Sequence, residues 1–70
     1  MSIRTGTEVT WKWGTSTASG KVVEVHHEKV TRQIEGEQIT RNGSDENPAY
    51  VIEQDDGTTV LKLRSEVDKG

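Results

Sequence analysis

The sequence predicts an all-β domain, and three features of its residues support that prediction. Valine, isoleucine, threonine and tryptophan occupy most of the apolar and β-branched positions, which is typical of strands. Glycines and polar clusters separate these positions at short intervals, as turns between strands do. About five short antiparallel strands fit into 70 residues. We therefore expect a small closed or nearly closed barrel, because closure removes exposed strand edges.

The first strand is predicted over residues 8–13, where Val9, Trp11 and Trp13 alternate with polar residues. The small, polar segment 14–20 predicts a loop. A second strand is predicted over residues 21–28.

Within this second strand, strict alternation places Val23 and Val25 on one face and Val22 on the other. Gly20 stands at the predicted start of the strand, where it suits a bulge or a close approach of another backbone.

The region around Gly36 predicts a protruding hairpin. A four-residue loop would pair Ile34 with Ile39, which is favourable, but it would also pair Arg32 with Arg41, which is not. A shorter loop separates both pairs, and the sequence leaves the register open. A helix is the alternative for this region, although β-branched residues and the lack of a capping box argue against it.

The rest of the chain completes one domain over residues 1–70, with its core over about 6–68. Its predicted elements are a loop over 42–48, a strand over 49–53, a turn at 55–57, a strand over 58–64 and a polar end over 65–70 that suits one helical turn.

The composition excludes several classes of protein. Hydrophobic residues make up 29% of the chain and charged residues 30%. No apolar run reaches five residues, whereas a membrane span needs about 18. The N-terminus lacks the apolar region of a signal peptide, and the absence of cysteine suits a reducing compartment. We therefore expect a cytoplasmic protein without membrane contact.

Several motifs follow one another in a characteristic order. The most specific are Arg41-Asn-Gly-Ser44 and Asn47-Pro-Ala-Tyr50, and the others are Gly6-Thr-Glu-Val-Thr-Trp11, Trp13-Gly14, Gly20-Lys-Val-Val, Asp56-Gly57 and Val60-Leu-Lys62. In these motifs the chain resembles the hypervirulence-associated protein Tudor-domain family, over nearly its whole length. The resemblance implies an SH3-like, Tudor-like barrel, and it implies little about a specific activity.

Tudor domains in general bind methylated lysine or arginine, through several aromatic rings around one ammonium group. Here the aromatic residues are Trp11, Trp13 and Tyr50. Because Trp11 and Trp13 share a strand face, we expect at least one of them in the core, so a cage of three or four rings is not expected. The Tyr50 hydroxyl needs water or a partner, which favours a position at the rim.

A protein or peptide partner is the first expectation for function, and the loops of the barrel are its expected contact surface. The loops are those over residues 14–20 and 42–48, and the candidate contact residues are Trp13, Tyr50, Arg41, Asn42 and Asn47.

The remaining chemistry predicts neither an enzyme nor a metal or cofactor site. His26 and His27 are adjacent, so on a strand they point to opposite faces. The acidic turn residues lack the calcium-loop spacing, and no serine stands in a nucleophile elbow.

Two other functions stay open. Lys21, Lys62 and Arg64 would serve a nucleic-acid face with stacking aromatics, although a net charge of −3 and interleaved glutamates favour a mixed surface. The predicted hairpin would also pair between two copies, which leaves a monomer or a weak homodimer as the expected state.

Overall fold

The computed structural model describes residues 3–69 and consists almost entirely of antiparallel strands. The strands are β1 (Glu8–Trp13), β2 (Ser16–His26), β3 (Lys29–Ile34), β4 (Glu37–Asn42), β5 (Ala49–Glu53), β6 (Thr59–Leu63) and β7 (Asp68–Lys69). One sheet has the order β6-β5-β2-β1-β7, and β3 and β4 form a second sheet of two strands. The predicted all-β class and the separate hairpin are confirmed.

The segment predicted as a loop over residues 14–20 is mostly strand, so that prediction is wrong. Trp13 pairs with Ser16, which leaves only Gly14 and Thr15 in the turn. Gly14 has a φ of +60°, as the first central residue of a type II′ hairpin turn requires. β2 therefore begins five residues earlier than Lys21 and pairs with β1 along its first half.

β2 is the central strand of the main sheet. Its first half pairs with β1 and its second half pairs with β5. The strand passes β5 closely at Gly20, where an added Cβ would lie 2.6 Å from Ile52 Cγ2 and 2.9 Å from the Glu53 carbonyl oxygen. Only glycine fits such an approach without displacement of its neighbours. The close approach predicted at Gly20 is confirmed.

A β-bulge at Val23 overturns the predicted facing of the valines in β2. Val22 pairs with Ile52 and Glu24 pairs with the next residue of β5, Val51, so two steps on β2 match one on β5. Val23 is consequently 39% exposed, whereas Val22 is fully buried and Val25 packs against the same cluster as Val22.

The hairpin of β3 and β4 has the shorter of the two loops that the sequence allowed. Glu35 and Gly36 form the turn with φ values of +50° and +82°, and Ile34 pairs with Glu37. Two central residues with positive φ are typical of a type I′ turn. This register places Arg32 opposite Ile39 and avoids the pairing of two arginines.

The core consists of two clusters on the two faces of β5. Tyr50 and Ile52 face the first cluster, and Ala49 and Val51 face the second, so β5 is buried on both sides. The first cluster also contains Ile3, Val9, Trp11, Val22 and Val67, and the second contains Val30 and Leu61 with partly buried Ile34, Ile39 and Leu63. The small hairpin sheet thus covers the second face of the main sheet.

The C-terminal segment contains the expected helical turn, but it is a 3₁₀ turn over Arg64–Glu66. β7 follows and pairs with β1, with Val9 opposite Lys69. The last residue of the predicted C-terminal segment, Gly70, lies outside the described residues. Among residues 3–69, no helix has both the length and the apolarity needed to cross a membrane.

Candidate functional site

Trp13 stands out because it is the most exposed large apolar side chain of residues 3–69. It shares a face of β1 with Val9 and Trp11, yet it is 72% exposed while Trp11 is 5% exposed. The difference follows from position, since Trp11 lies opposite Ala18 within the sheet and Trp13 precedes the turn. One tryptophan therefore belongs to the core and the other to the surface.

An open groove of about 310 Å³ lies against these tryptophans. We call it the Trp13 groove, and its lining residues are Trp11, Trp13, Ala18, Glu35, Gln54, Thr58, Val60 and Lys62. Alternate residues of one segment, Thr58, Val60 and Lys62, form one wall. The base is apolar where Val60 and Ala18 pack against the first core cluster.

A second groove of about 340 Å³ adjoins the first at the tip of the hairpin. We call it the hairpin-tip groove, and its lining residues are Gln33, Ile34, Glu35, Asp56, Gly57, Thr58 and Thr59. The two grooves share Glu35 and Thr58. They therefore adjoin, and we call the two grooves together the cleft, which has Trp13 at one end and the turn between β5 and β6 at the other.

The turn at this end of the cleft holds a carboxylate in its ionised form. The Thr58 backbone N–H donates a 2.9 Å hydrogen bond to Asp56 Oδ1, which lowers the pKa of Asp56 below its ordinary value of 3.8. The turn is closed by the Gln54 N–H, which donates to the Thr58 carbonyl at 2.8 Å. The Asp56 carboxylate is therefore held in place by the backbone of Thr58 and is charged at neutral pH.

Tyr50 does not reach the surface, so the predicted rim position is wrong. The residue is 1% exposed and belongs to the first core cluster. Its burial raises the pKa of the hydroxyl above the ordinary value of 10.0. In this conformation Tyr50 supports the sheet beneath the cleft, because Lys62 lies directly opposite it on β6.

Asn47, a candidate contact residue, is engaged within its own loop. Its Oδ1 accepts a hydrogen bond of 2.8 Å from the Ser65 N–H. Its own N–H donates to Ser44 Oγ at 3.0 Å, and its carbonyl accepts from the Ser44 N–H at 3.1 Å. These bonds close the loop over residues 42–48 and fasten it to the 3₁₀ turn.

Arg41 and Asn42 lie at the end of β4, away from the Trp13 groove. Arg41 Nε lies 3.6 Å from Glu66 Oε1, and the same oxygen accepts a 2.8 Å hydrogen bond from the Leu63 N–H. Asn42 is exposed and pairs with Lys29. The structure therefore separates these two candidates, and Asn47, from Trp13.

Gly43 shows that the most specific sequence motif serves the fold. A Cβ at this residue would lie 2.6 Å from the His26 carbonyl oxygen, 2.8 Å from that of Glu28 and 2.9 Å from the Ala49 nitrogen. All three are backbone atoms, so the loop packs tightly against the turn between β2 and β3 only because no side chain intervenes.

The three cations of the expected nucleic-acid face do not form one surface. Lys21 pairs with Glu8 and Glu53, which bracket it with negative charge. Lys62 pairs with Tyr50 on β5, and Lys21 pairs with Glu53 on the same strand. Because residues 50 and 53 face opposite sides of β5, Lys62 and Lys21 lie on opposite faces of the sheet. Arg64 Nη1 donates a hydrogen bond to the Val67 carbonyl at 3.4 Å.

A charged cluster that the sequence did not indicate joins the two sheets. Glu24 Oε1 lies 2.6 Å from Arg32 Nη2 and 2.7 Å from His26 Nε2. These hydrogen bonds, from His26 first and then Arg32, lower the pKa of Glu24 below 4.5. The bulge at Val23 allows Glu24 to contact Arg32, because it turns Glu24 toward the face of the main sheet that the hairpin covers.

The second histidine is separate from this cluster. His27 Nδ1 lies 3.9 Å from Asp45 Oδ1 on the surface. Within residues 3–69 no three metal-ligating side chains come together.

Sequence reasoning missed most of the residues that line the cleft. Glu35, Gln54, Thr58 and Val60 line the Trp13 groove but were not candidates, because neither a turn residue nor a single strand shows what lies across from it. The available signal was the alternation of Thr58, Val60 and Lys62, which places all three on one side of a strand.

The fold and cleft define a small all-β barrel with an exposed aromatic groove, and comparison with known proteins gives its family. Residues 6–67 match the model of the family described as "Hypervirulence associated proteins TUDOR domain". The chain belongs to this family, which confirms the resemblance and the Tudor-like barrel. Comparison with curated proteins and with solved structures found no match. The Tudor-like all-β fold is typically a non-catalytic binding fold.

Proposed function

We propose that this protein is a non-enzymatic binding module that holds an extended peptide segment of a partner protein in the Trp13 groove. The observation that carries the proposal is the 72% exposure of Trp13 on the wall of a groove with an apolar base. Tryptophan offers a large, rigid contact area at low cost in side-chain entropy, and it is enriched where partners bind. Polar residues around an apolar centre are the usual arrangement of such a surface.

The distribution of perturbed carboxyl and hydroxyl groups supports binding over catalysis. Within residues 3–69, shifted pKa values are found at Glu24, Tyr50 and Asp56. Tyr50 is buried, Glu24 joins the sheets through Arg32, and Asp56 accepts from a backbone N–H. Catalytic groups need to meet around one reacting atom, and these three groups lie at different places in the fold.

A randomised peptide array tests the proposal. The labelled wild-type protein, Trp13→Ala and Val23→Ala are applied to the same array of immobilised eight-residue peptides. Val23 is the matched control, since it is the other exposed large hydrophobic residue among residues 3–69 and lies outside the groove. We expect Trp13→Ala to lose the peptides that wild type retains, and Val23→Ala to retain them. Equal retention by Trp13→Ala would contradict the proposal.

Single-stranded nucleic acid is a second candidate for the same groove, because Lys62 lies beside Trp13 and Trp11. Aromatic stacking with a neighbouring cation is a common mode of single-strand binding. The test is a titration of the protein with single-stranded DNA and RNA of about ten nucleotides, at about 50 mM and about 200 mM salt. Binding that weakens steeply with salt and is lost in Lys62→Gln would favour nucleic acid, and no binding at 50 mM salt would remove it.

A further inference from the structure

The distribution of charge along the cleft indicates which kind of peptide fits the Trp13 groove. This inference rests on the proposed function. Thr58, Val60 and Lys62 line the Trp13 groove in order. At about 3.3 Å per residue, the outer two lie roughly 13 Å apart. An extended peptide repeats its side chains on one side at the same interval, so three alternate residues span this wall.

The two ends of the wall carry opposite charges. Glu35 and Thr58 are shared with the hairpin-tip groove, which also contains Asp56, so this end is acidic. Lys62 stands at the other end, and the apolar centre lies between them at Val60 and Trp13.

The side-chain charges of Glu35 and Lys62 are also not used by the fold, although the backbone of Glu35 forms the hairpin turn and Lys62 of β6 pairs with Tyr50. Within the described part of the chain, neither forms an ion pair with another side chain. Each charge is therefore open to a ligand.

We propose that the cleft selects an extended peptide in which a basic, an apolar and an acidic residue alternate on one side. The basic residue lies between Glu35 and Asp56, the apolar residue lies on Trp13 and Val60, and the acidic residue lies at Lys62. The intervening residues point to solvent. Either chain direction presents the same three side chains, so the spacing and the pair of charges carry the specificity.

Four capped peptides test this pattern, each flanked by glycine. Their central sequences are Arg-Thr-Leu-Thr-Glu, its scramble Thr-Arg-Glu-Thr-Leu, Arg-Thr-Leu-Thr-Arg and Glu-Thr-Leu-Thr-Glu. Kd is measured by titration of the ¹⁵N-labelled protein, with the Trp13 indole N–H as the reporter. We expect the first peptide to bind tightest and each mismatched end to weaken binding roughly two- to five-fold, as an exposed ion pair does.

Charge reversal in the protein should switch the preference. Glu35→Lys should prefer the peptide with two glutamates, and Lys62→Glu should prefer the peptide with two arginines. Glu37→Lys makes the same charge change on the same hairpin outside both grooves, and Lys21→Glu is the control for the opposite change. Both controls should keep the wild-type preference. The amide spectrum of each variant shows that the fold is intact.

The outcomes separate this inference from the function on which it rests. If all four peptides bind equally and Trp13→Ala abolishes binding, the charge pattern is wrong and the peptide-binding groove stands. If the controls switch preference like Glu35→Lys, net charge rather than the cleft decides, and the pattern is again wrong. If no peptide shifts the Trp13 signal at millimolar concentration, both proposals fail.

Discussion

The two tryptophans of β1 should differ sharply in what they contribute to stability. A fully buried tryptophan removes up to about 250 Å² from water, at about 25 cal/mol per Å². Trp13 is 72% exposed, so about a quarter of that area is buried, and Trp13→Ala should cost between about 1 and 2 kcal/mol. Trp11 is 5% exposed, and Trp11→Ala should cost about 3–5 kcal/mol.

Urea unfolding followed by far-ultraviolet circular dichroism measures both costs. A domain of 70 residues has a total stability of about 4–10 kcal/mol. We therefore expect Trp13→Ala to remain folded with a lowered midpoint, and Trp11→Ala to be marginal or unfolded at 25 °C. Equal costs for the two variants would refute the division between a core and a surface tryptophan. It would also remove the reason for assigning Trp13 to binding.

Three further predictions follow from the contacts of other residues. Gly43→Ala should cost more than about 3 kcal/mol, because three backbone atoms lie within 2.9 Å of the new Cβ; Ser44→Ala, in the same loop, should cost only about 1 kcal/mol in the same urea assay. Glu24 has a lowered pKa, so its contribution to the free energy of unfolding is present above its unfolded pKa of 4.5 and is lost as pH falls through its folded pKa. In acid unfolding, Glu24→Gln should therefore lose less stability with falling pH than wild type does. The same dependence of stability on pH in both proteins would contradict this prediction. Tyr50 has a raised pKa, so the free energy of unfolding should fall as pH rises above the ordinary tyrosine pKa of 10.0. The absorbance of the ionised phenol and the fraction of unfolded protein are measured over the same pH range to check this. Ionisation of Tyr50 in the folded protein at pH 10 would contradict it.

Two strands were predictable from the sequence with their bounds. Residues 8–13 form β1, in which apolar and polar residues alternate, and residues 49–53 form β5, which is a short apolar run between a loop and a turn. The facing within β2 was not predictable, because the bulge at Val23 depends on the register with β5. That register is a property of two strands together.

The turns show the same limit. Gly14 carried a usable signal, since glycine in the first position of a two-residue turn is typical of type II′, but the small polar residues after it resembled a loop. The turn at Glu35 and Gly36 lacks asparagine or aspartate at its first position, so its length stayed open until the strands paired.

The candidate site was predictable only in part. Trp13 was a candidate and is exposed, and Lys62 was named for a different surface and lines the same groove. Asn47 was a candidate because polar loop residues bind partners, but the same residue type also satisfies backbone groups of its own loop. Glu35 reaches the groove because the hairpin packs against β6, and β6 supplies Val60 and Lys62 to the same groove.

The proposal that the Trp13 groove binds a peptide is tested most directly by a ¹⁵N NMR titration. Pools of peptides, then short single-stranded and duplex DNA, then RNA are added to the labelled wild-type protein. The proposal predicts that peptide shifts the indole N–H of Trp13 and the amides of Ala18, Thr58 and Lys62, while the buried indole of Trp11 moves less. Shifts confined to Arg41, Asn42 and the loop over 42–48, with Trp13 unchanged, would contradict it.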